Sequence, residues 1–266
     1  MIGSARLKFL AEYSAVRSAE GRGADDPAWY LALPYRDLSG AFDDQWRIRA
    51  QSWRYLETRI LPAFAKKAGR SLRVLDLGAG NCWMAWRLAQ LGHSPIAMDI
   101  FADGRDGLRA SRHYRTLAPF SVVEAEFDRI PLPAAAVDLA IFNASFHYSA
   151  DYQHTLREVL RVLRPGGAVV IVDTPVYLLP EYGRRMVEER KSRFRQRFGF
   201  PSDAQESIEY LDLPALHFLE QQLHLRWTVY KPWYGWRWRL RPLNAWLRRK
   251  RPPSQFWILV GEVPAA

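Results

Sequence analysis

Apolar positions change rhythm near residue 72. Before it, Trp46, Ala50, Trp53, Leu56, Ile60 and Phe64 recur every three or four residues, which predicts one apolar helix face. Asp43 and Asp44 stand where acidic side chains favour a helix start, and Pro62 predicts a kink or a new helix. A short helix is expected over 5–18, and residues 22–40, rich in Gly, Asp, Pro and aromatics, read as loop. After residue 72, short apolar runs alternate with helical stretches. Strands are expected at 72–77, 95–100, 121–127, 137–142 and 167–173, and helices at 83–91, 104–116 and 151–163. Arg164-Pro165-Gly166-Gly167 is a helix stop before the fifth strand. Helices at 181–198 and 213–223 and strands at 225–230 and 256–263 complete the pattern. Alternation of this kind argues an α/β fold, a parallel sheet covered on both faces.

Composition narrows the picture. The chain has 266 residues, 48% hydrophobic and 25% charged, which excludes wholesale disorder and suits one elaborated domain. Cys82 is the single cysteine, so no intrachain disulfide and no thiolate zinc cluster can form. His93, His113, His154, His217 and His224 show no metal-like pairing and read as structural; no metal site is expected. The N-terminus lacks a signal-peptide apolar core, and no stretch nears the ~18 apolar residues of a spanning helix. A soluble cytoplasmic protein, at most peripheral to a membrane, is expected.

Charge is uneven. The net charge is +10, and residues 226–251 hold nine basic and no acidic side chains. Six of the eleven Trp lie between Trp227 and Trp257. Residues 231–251 therefore admit three readings, in this order. They could form a lid whose Trp side chains pack on the core, a peripheral contact with an anionic membrane or lipid-linked acceptor, or a nucleic-acid surface.

The first strand runs into Asp76-Leu77-Gly78-Ala79-Gly80-Asn81-Cys82-Trp83. Gly-x-Gly between strand and helix lets backbone N–H groups approach a ligand. Asp76 can anchor the turn. Nineteen residues after Gly80, Asp99 ends the second strand, where a carboxylate can take both hydroxyls of a ribose. A dinucleotide site wants a third glycine at position 83, which is Trp83.

The glycine-rich spacing instead resembles the first motif of class I S-adenosylmethionine-dependent methyltransferases, with Cys82 where that family has its last glycine. The resemblance runs over residues 72–173. Ala125-Glu126-Phe127-Asp128-Arg129-Ile130-Pro131-Leu132-Pro133 is similar to the acidic-then-Leu-Pro-Phe motif after strand three. Val137-Asp138-Leu139-Ala140 and Ser145-Phe146-His147-Tyr148 are similar to strand four and its trailing His motif. Leu160-Arg161-Val162-Leu163-Arg164-Pro165-Gly166-Gly167 resembles the junction in the ubiquinone/menaquinone-biosynthesis (type 11) methyltransferases. The resemblance implies a Rossmann-like seven-stranded sheet, mostly parallel with its last strand antiparallel. It also implies an N-terminal helical cap over 1–70 and a core over 71–266 with substrate-side insertions at about 174–212 and 231–254. S-adenosyl-L-methionine is the implied cofactor, with Asp76, Gly78, Ala79, Gly80, Asp99, Ile100, Glu126, Phe127 and Asn143 as the implied binding residues.

Methyl transfer needs an acceptor lone pair held in line and water excluded; a base helps when the acceptor is a hydroxyl or carbon acid. His147, after strand four, is the first candidate acid/base, and Asp173, ending strand five, the second; packing and turn roles compete for both. Asn143 is followed by Ala144-Ser145-Phe146 rather than Pro-Pro-Tyr, which argues against amino-methylation of that type. Cytosine carbon-5 chemistry wants a nucleophilic Cys, which the turn's Cys82 does not suit. The reading is methyl transfer to oxygen or carbon of a small-molecule or lipid-linked acceptor. Its rivals are a non-catalytic cofactor-binding or interaction protein and an RNA methyltransferase.

Overall fold

The computed structural model describes residues 4–114, 116–201, 203–204 and 207–262. Helix α1 (Ser4–Ala19) leads to a short α2 (Pro27–Ala32) inside the stretch expected as loop. Asp26 accepts the Ala28 N–H and Pro27 starts the helix, the cap chemistry that places it. Helix α3 (Asp43–Tyr55) continues through one wide turn, Leu56–Ile60, into α4 (Leu61–Ala68). Pro62 sits in the first turn of α4, so the expected restart occurs there, with the wide turn absorbing the missing N–H.

The main sheet begins with β1 (Arg73–Leu77), β2 (Ser94–Asp99), β3 (Ser121–Glu124), β4 (Val137–Asn143) and β5 (Leu163–Val172), all parallel. Helix α5 (Trp83–Gln90) follows β1 and α6 (Tyr152–Val162) precedes β5. Two-residue strands β6 (Val176–Tyr177) and β7 (Leu211–Asp212) pair with each other around α7 (Pro180–Phe198). Helix α8 (Leu213–Leu223), β8 (Arg226–Tyr230) and β9 (Ile258–Glu262) end the core, with α9 (Trp236–Arg239) and α10 (Arg241–Leu247) between the last two strands. The strand order is β3-β2-β1-β4-β5-β9-β8, and β9 alone runs antiparallel.

Near-continuous apolar strands demand cover on both faces. One face packs on Trp46, Trp53, Leu61, Trp83 and Trp86 of α3, α4 and α5. The other packs on Leu156, Val159, Leu216 and Leu219 of α6 and α8. At the amino edge of the sheet, Asp138 accepts from Arg70, Arg164 and the Arg73 N–H, which hold its carboxyl down at about 2 against the cost of burial.

Three expected elements differ. The helix at 104–116 is a tight helical stretch at Leu108–His113, and Arg115 lies outside the described residues. Gly104 and Gly107 interrupt it, and Asp103 draws in the Arg105 and Asp106 N–H groups as a turn. The third strand stops at Glu124, leaving Glu126 and Phe127 in a turn. Strand β5 begins at Leu163, so Pro165-Gly166-Gly167 lies within the strand, beside a register shift in β4. Val263, the end of the expected last strand, lies outside the described residues.

Candidate active site

Beyond the carboxyl ends of the strands lies a cavity of about 600 Å³. The glycine turn forms its floor. Gly78 and Ala79 donate N–H groups to the Met98 carbonyl at 2.8 and 3.0 Å, which lashes the turn to β2. Gly78 has φ +72°, and a Cβ there would overlap the Ser145 side chain. Asp99 accepts the Gly80 N–H at 2.8 Å and the Phe101 N–H at 2.9 Å, one on each oxygen. Burial pushes its carboxyl up, and those N–H groups pull it back. Each oxygen keeps a further lone pair, and Asp99 lines the cavity, so vicinal hydroxyls of a ribose are a fitting partner.

Gly78, Gly80, Asp99, Ile100, Glu126 and Phe127 all line this cavity. Asp76, Ala79 and Asn143 do not stand among its lining residues. Asp76 is buried behind the turn, pushed up to about 8 by burial and then by the Asp99 charge, with the Ala85 N–H pulling back. Its place is as a support for the turn and α5 rather than as a wall. Cys82 has φ 66°, the left-handed geometry that a glycine would take freely, and its sulfur is buried toward the carbonyls of Gly80 and Leu108. It stands outside the cavity lining, so the departure from glycine takes no room from a ligand.

Sequence reasoning expected a helical cap over 1–70 but named none of its residues. Phe9 and Tyr13 of α1 line the cavity, with Tyr13 edge-on to Phe101 at 5.0 Å and to Tyr148 at 6.1 Å. Arg17, one turn on, pairs with Asp106 and ties α1 down. No sequence signal singles out Phe9 or Tyr13 within that cap. His154, expected to be structural, also lines the cavity from the first turn of α6. Phe101 was legible, two residues past Asp99.

A second polar group occupies the next stretch of the same edge. Ala144 lines the cavity and donates its N–H to Val172 at 2.9 Å; Asp173 follows immediately, with φ 53°. Ser52 of α3 donates to Asp173 at 2.5 Å, and the Tyr234 hydroxyl lies 2.9 Å from Ser52 Oγ. Arg49, one turn earlier on α3, stacks 4.7 Å from the Trp46 ring. Among the described residues its guanidinium has no hydrogen bond or ion pair. Burial pushes Asp173 up to about 6, with Ser52 and Arg49 pulling back. One oxygen, Oδ2, has no partner among the described residues.

His147 is enclosed in the loop after β4, its carbonyl accepting the Glu209 N–H at 3.0 Å. Burial, then the charges of Arg49 and Arg190, push its imidazole down to about 4. It is therefore neutral near pH 7 and a weak base, whereas Asp173 is mostly ionised there and ready to accept a proton. Neither His147 nor Asp173 stands among the cavity-lining residues, although Tyr148, next to His147, does.

Comparison with known proteins places this geometry. Residues 75–171 match the family model described as a methyltransferase domain, type 11. A tRNA U34 carboxymethyltransferase of Methylococcus capsulatus is 34% identical over 173 residues, 64% of this chain and 50% of that protein. A fatty-acid O-methyltransferase of Mycolicibacterium smegmatis is 30% identical over 154 residues, 54% of this chain and 56% of that protein. The chain thus spans about half the length of these curated relatives. An S-adenosylmethionine-dependent methyltransferase structure from Mesorhizobium loti superposes with a TM-score of 0.55 at 18% identity, over 78% of this chain and 97% of that one, which shows the fold.

Proposed function

We infer the acceptor from one premise: over residues 75–171 the chain belongs to the class I S-adenosylmethionine-dependent methyltransferases of type 11. S-adenosyl-L-methionine is the cofactor of that family, and it supplies an activated methyl group on a positive sulfur. The turn at Gly78–Gly80 and the paired acceptors of Asp99 fit its ribose, and Ile100, Glu126 and Phe127 fit its base. Phe9 and Tyr13 would shield this half from water. Residues 1–70 act in this reading as a helical cap, and about 174–212 and 231–254 as acceptor-side insertions.

The acceptor is a small or lipid-linked molecule methylated at oxygen or carbon. The carrying observation is the cluster at the end of β5 in which buried Asp173 and Ser52 meet Tyr234, with Arg49 one turn before Ser52 on α3. Asp173 would take the acceptor proton, the role first assigned to His147, because a group near 6 is the better matched base at neutral pH. Ser52 orients that carboxylate. Arg49, which forms no ion pair among the described residues, brings positive charge to the same spot, which favours an acceptor carrying or developing negative charge. His147 stays a neutral packing and hydrogen-bonding group.

The fatty-acid relative fits this reading. The tRNA relative, together with the basic 226–251 segment, favours RNA as the second reading. Incubation of the protein with methyl-labelled cofactor and a total cell extract separates them. Label in the organic phase, lost in Asp173→Asn, is expected; label confined to RNA overturns the first reading in favour of the second. Calorimetry with S-adenosylmethionine, with Asp99→Ala and NADH as controls, tests the cofactor by itself.

A further inference from the structure

Helices α9 and α10 turn their apolar side away from the protein. Trp236 opens α9, Leu240 joins the two helices, and Leu243 and Leu247 stand one turn apart on α10. All four are exposed, Trp236 at 70% and Leu247 at 64%. Trp246 is 72% exposed beside them, and Trp233 packs edge-on against Trp236 at 5.1 Å. The opposite side is the anchored one. Trp238 packs 5.2 Å from Phe256, and Arg241 lies 3.3 Å over the Trp238 ring and donates to the Ser254 carbonyl.

A helix seated on a water-soluble core shows the reverse arrangement, apolar side in and polar side out. An outward cluster of Trp and Leu marks a contact surface. Its rim tells which. Arg237, Arg239, Arg248, Arg249 and Lys250 are exposed and form no ion pair among the described residues, and no acid occurs from 226 to 251. Uncompensated positive charge calls for an anionic partner. Nucleic acid would use the arginines and stack on the Trp rings, but it offers nothing apolar to three exposed leucines. An anionic bilayer uses both: acyl chains take the leucines, the interface takes Trp, and headgroups take the arginines. Among the described residues no helix is long and apolar enough to cross a membrane, so contact is with the surface.

We propose that the Trp236–Leu240–Leu243–Trp246–Leu247 face, with its arginine rim, docks the protein on an anionic phospholipid bilayer. Helices α9 and α10 lie in the interfacial plane. Tyr234, two residues before Trp236, touches Ser52 next to Asp173, so docking brings the acceptor-side edge close to the lipid phase. Only this last link rests on the proposed function; docking itself needs no methyl transfer.

Vesicle flotation of the full chain tests it, with phosphatidylcholine alone and with mixed phosphatidylcholine–phosphatidylglycerol. The protein floats with the anionic vesicles, releases as salt rises, and its Trp emission shifts to the blue. Trp236→Ala combined with Trp246→Ala weakens binding by roughly tenfold or more, as does Arg248→Gln with Arg249→Gln. Both variants keep wild-type cofactor binding by calorimetry, because the altered side chains are exposed and stand outside the cavity lining. Failure to float, equal flotation with neutral and anionic vesicles, or wild-type flotation of the double Trp variant overturns the proposal. So does RNA binding abolished by these variants while vesicles are ignored. None of these outcomes touches the cofactor titration, which decides the methyltransferase reading separately.

Discussion

Along one sheet edge, two polar groups are held by different means. Asp99 is gripped by backbone N–H groups from its own neighbourhood, Phe101 two residues on and Gly80 nineteen back. Asp173 is gripped by Ser52, 121 residues earlier, and that Ser52 meets Tyr234, 182 residues later. The first arrangement is a property of strand, turn and helix, and any chain with that local pattern can make it. The second exists only where α3 reaches the end of β5 and the loop after β8 reaches α3. A nucleoside presents the same hydroxyls whatever the acceptor, so local backbone can suffice. An acceptor differs between relatives, and side chains from remote segments are the adjustable part.

The largest effect should follow from breaking the local half. Gly78→Ala places a Cβ at positive φ against Ser145 and, a little farther off, the Phe127 ring. Cofactor affinity should fall roughly 100-fold or more, with a lower Tm, by calorimetry and thermal unfolding. Unchanged binding would mean that the turn does not shape the cavity. Asp173→Asn comes next: methyl transfer should fall about 10²-fold, the lower end for loss of a general base, with cofactor Kd unchanged. In the wild type kcat/KM should rise with pH through about 6, as Asp173 loses its proton, and that limb should vanish in Asp173→Asn but survive His147→Gln. A limb that survives in Asp173→Asn removes Asp173 as the base. Asp99→Ala removes charge-assisted bonds of about 1.5–3 kcal/mol, a loss of roughly 10- to 100-fold in cofactor affinity.

Asp76 sharpens the comparison through stability. Its folded value of about 8 stands above the ordinary 3.8, so the native state holds a proton that the unfolded chain has released. Stability from this group is complete below pH ~4 and is lost as pH rises toward 8. Asp76→Asn should flatten the decline of Tm between those limits; parallel wild-type and variant curves would show that Asp76 is not kept protonated. The smallest effect is expected from Cys82→Gly. Relief of left-handed strain and loss of a buried side chain nearly cancel, each about 1 kcal/mol, and cofactor affinity should stay within about twofold because Cys82 lies outside the cavity lining.

Residue by residue, legibility followed the same divide. Gly78, Gly80 and Asp99 were readable because their spacing encodes a strand–turn–helix that places them together, whereas Glu126 and Phe127 came only through the family resemblance. His147 and Asp173 were readable as strand-end positions, but not which of them could take a proton, since that depends on Arg49 and Ser52 arriving from α3. Phe9 and Tyr13 were unreadable, because α1 carries no mark of what it covers. The segment 231–251 was readable as basic and aromatic, yet its first reading, Trp packed on the core, fails for Trp233, Trp236 and Trp246, which are exposed.

By itself the sequence determined the alternation of strands and helices, the glycine turn with its distant acid, and the concentration of charge near the C-terminus. These are local patterns of period and spacing, and local physics acts on them directly. Only the tertiary structure decided which carboxyl is poised near neutral pH, what closes the cavity, and which side of the Trp-rich helices faces outward. Those properties depend on burial and on charges brought from far along the chain, and neither exists until the chain has folded.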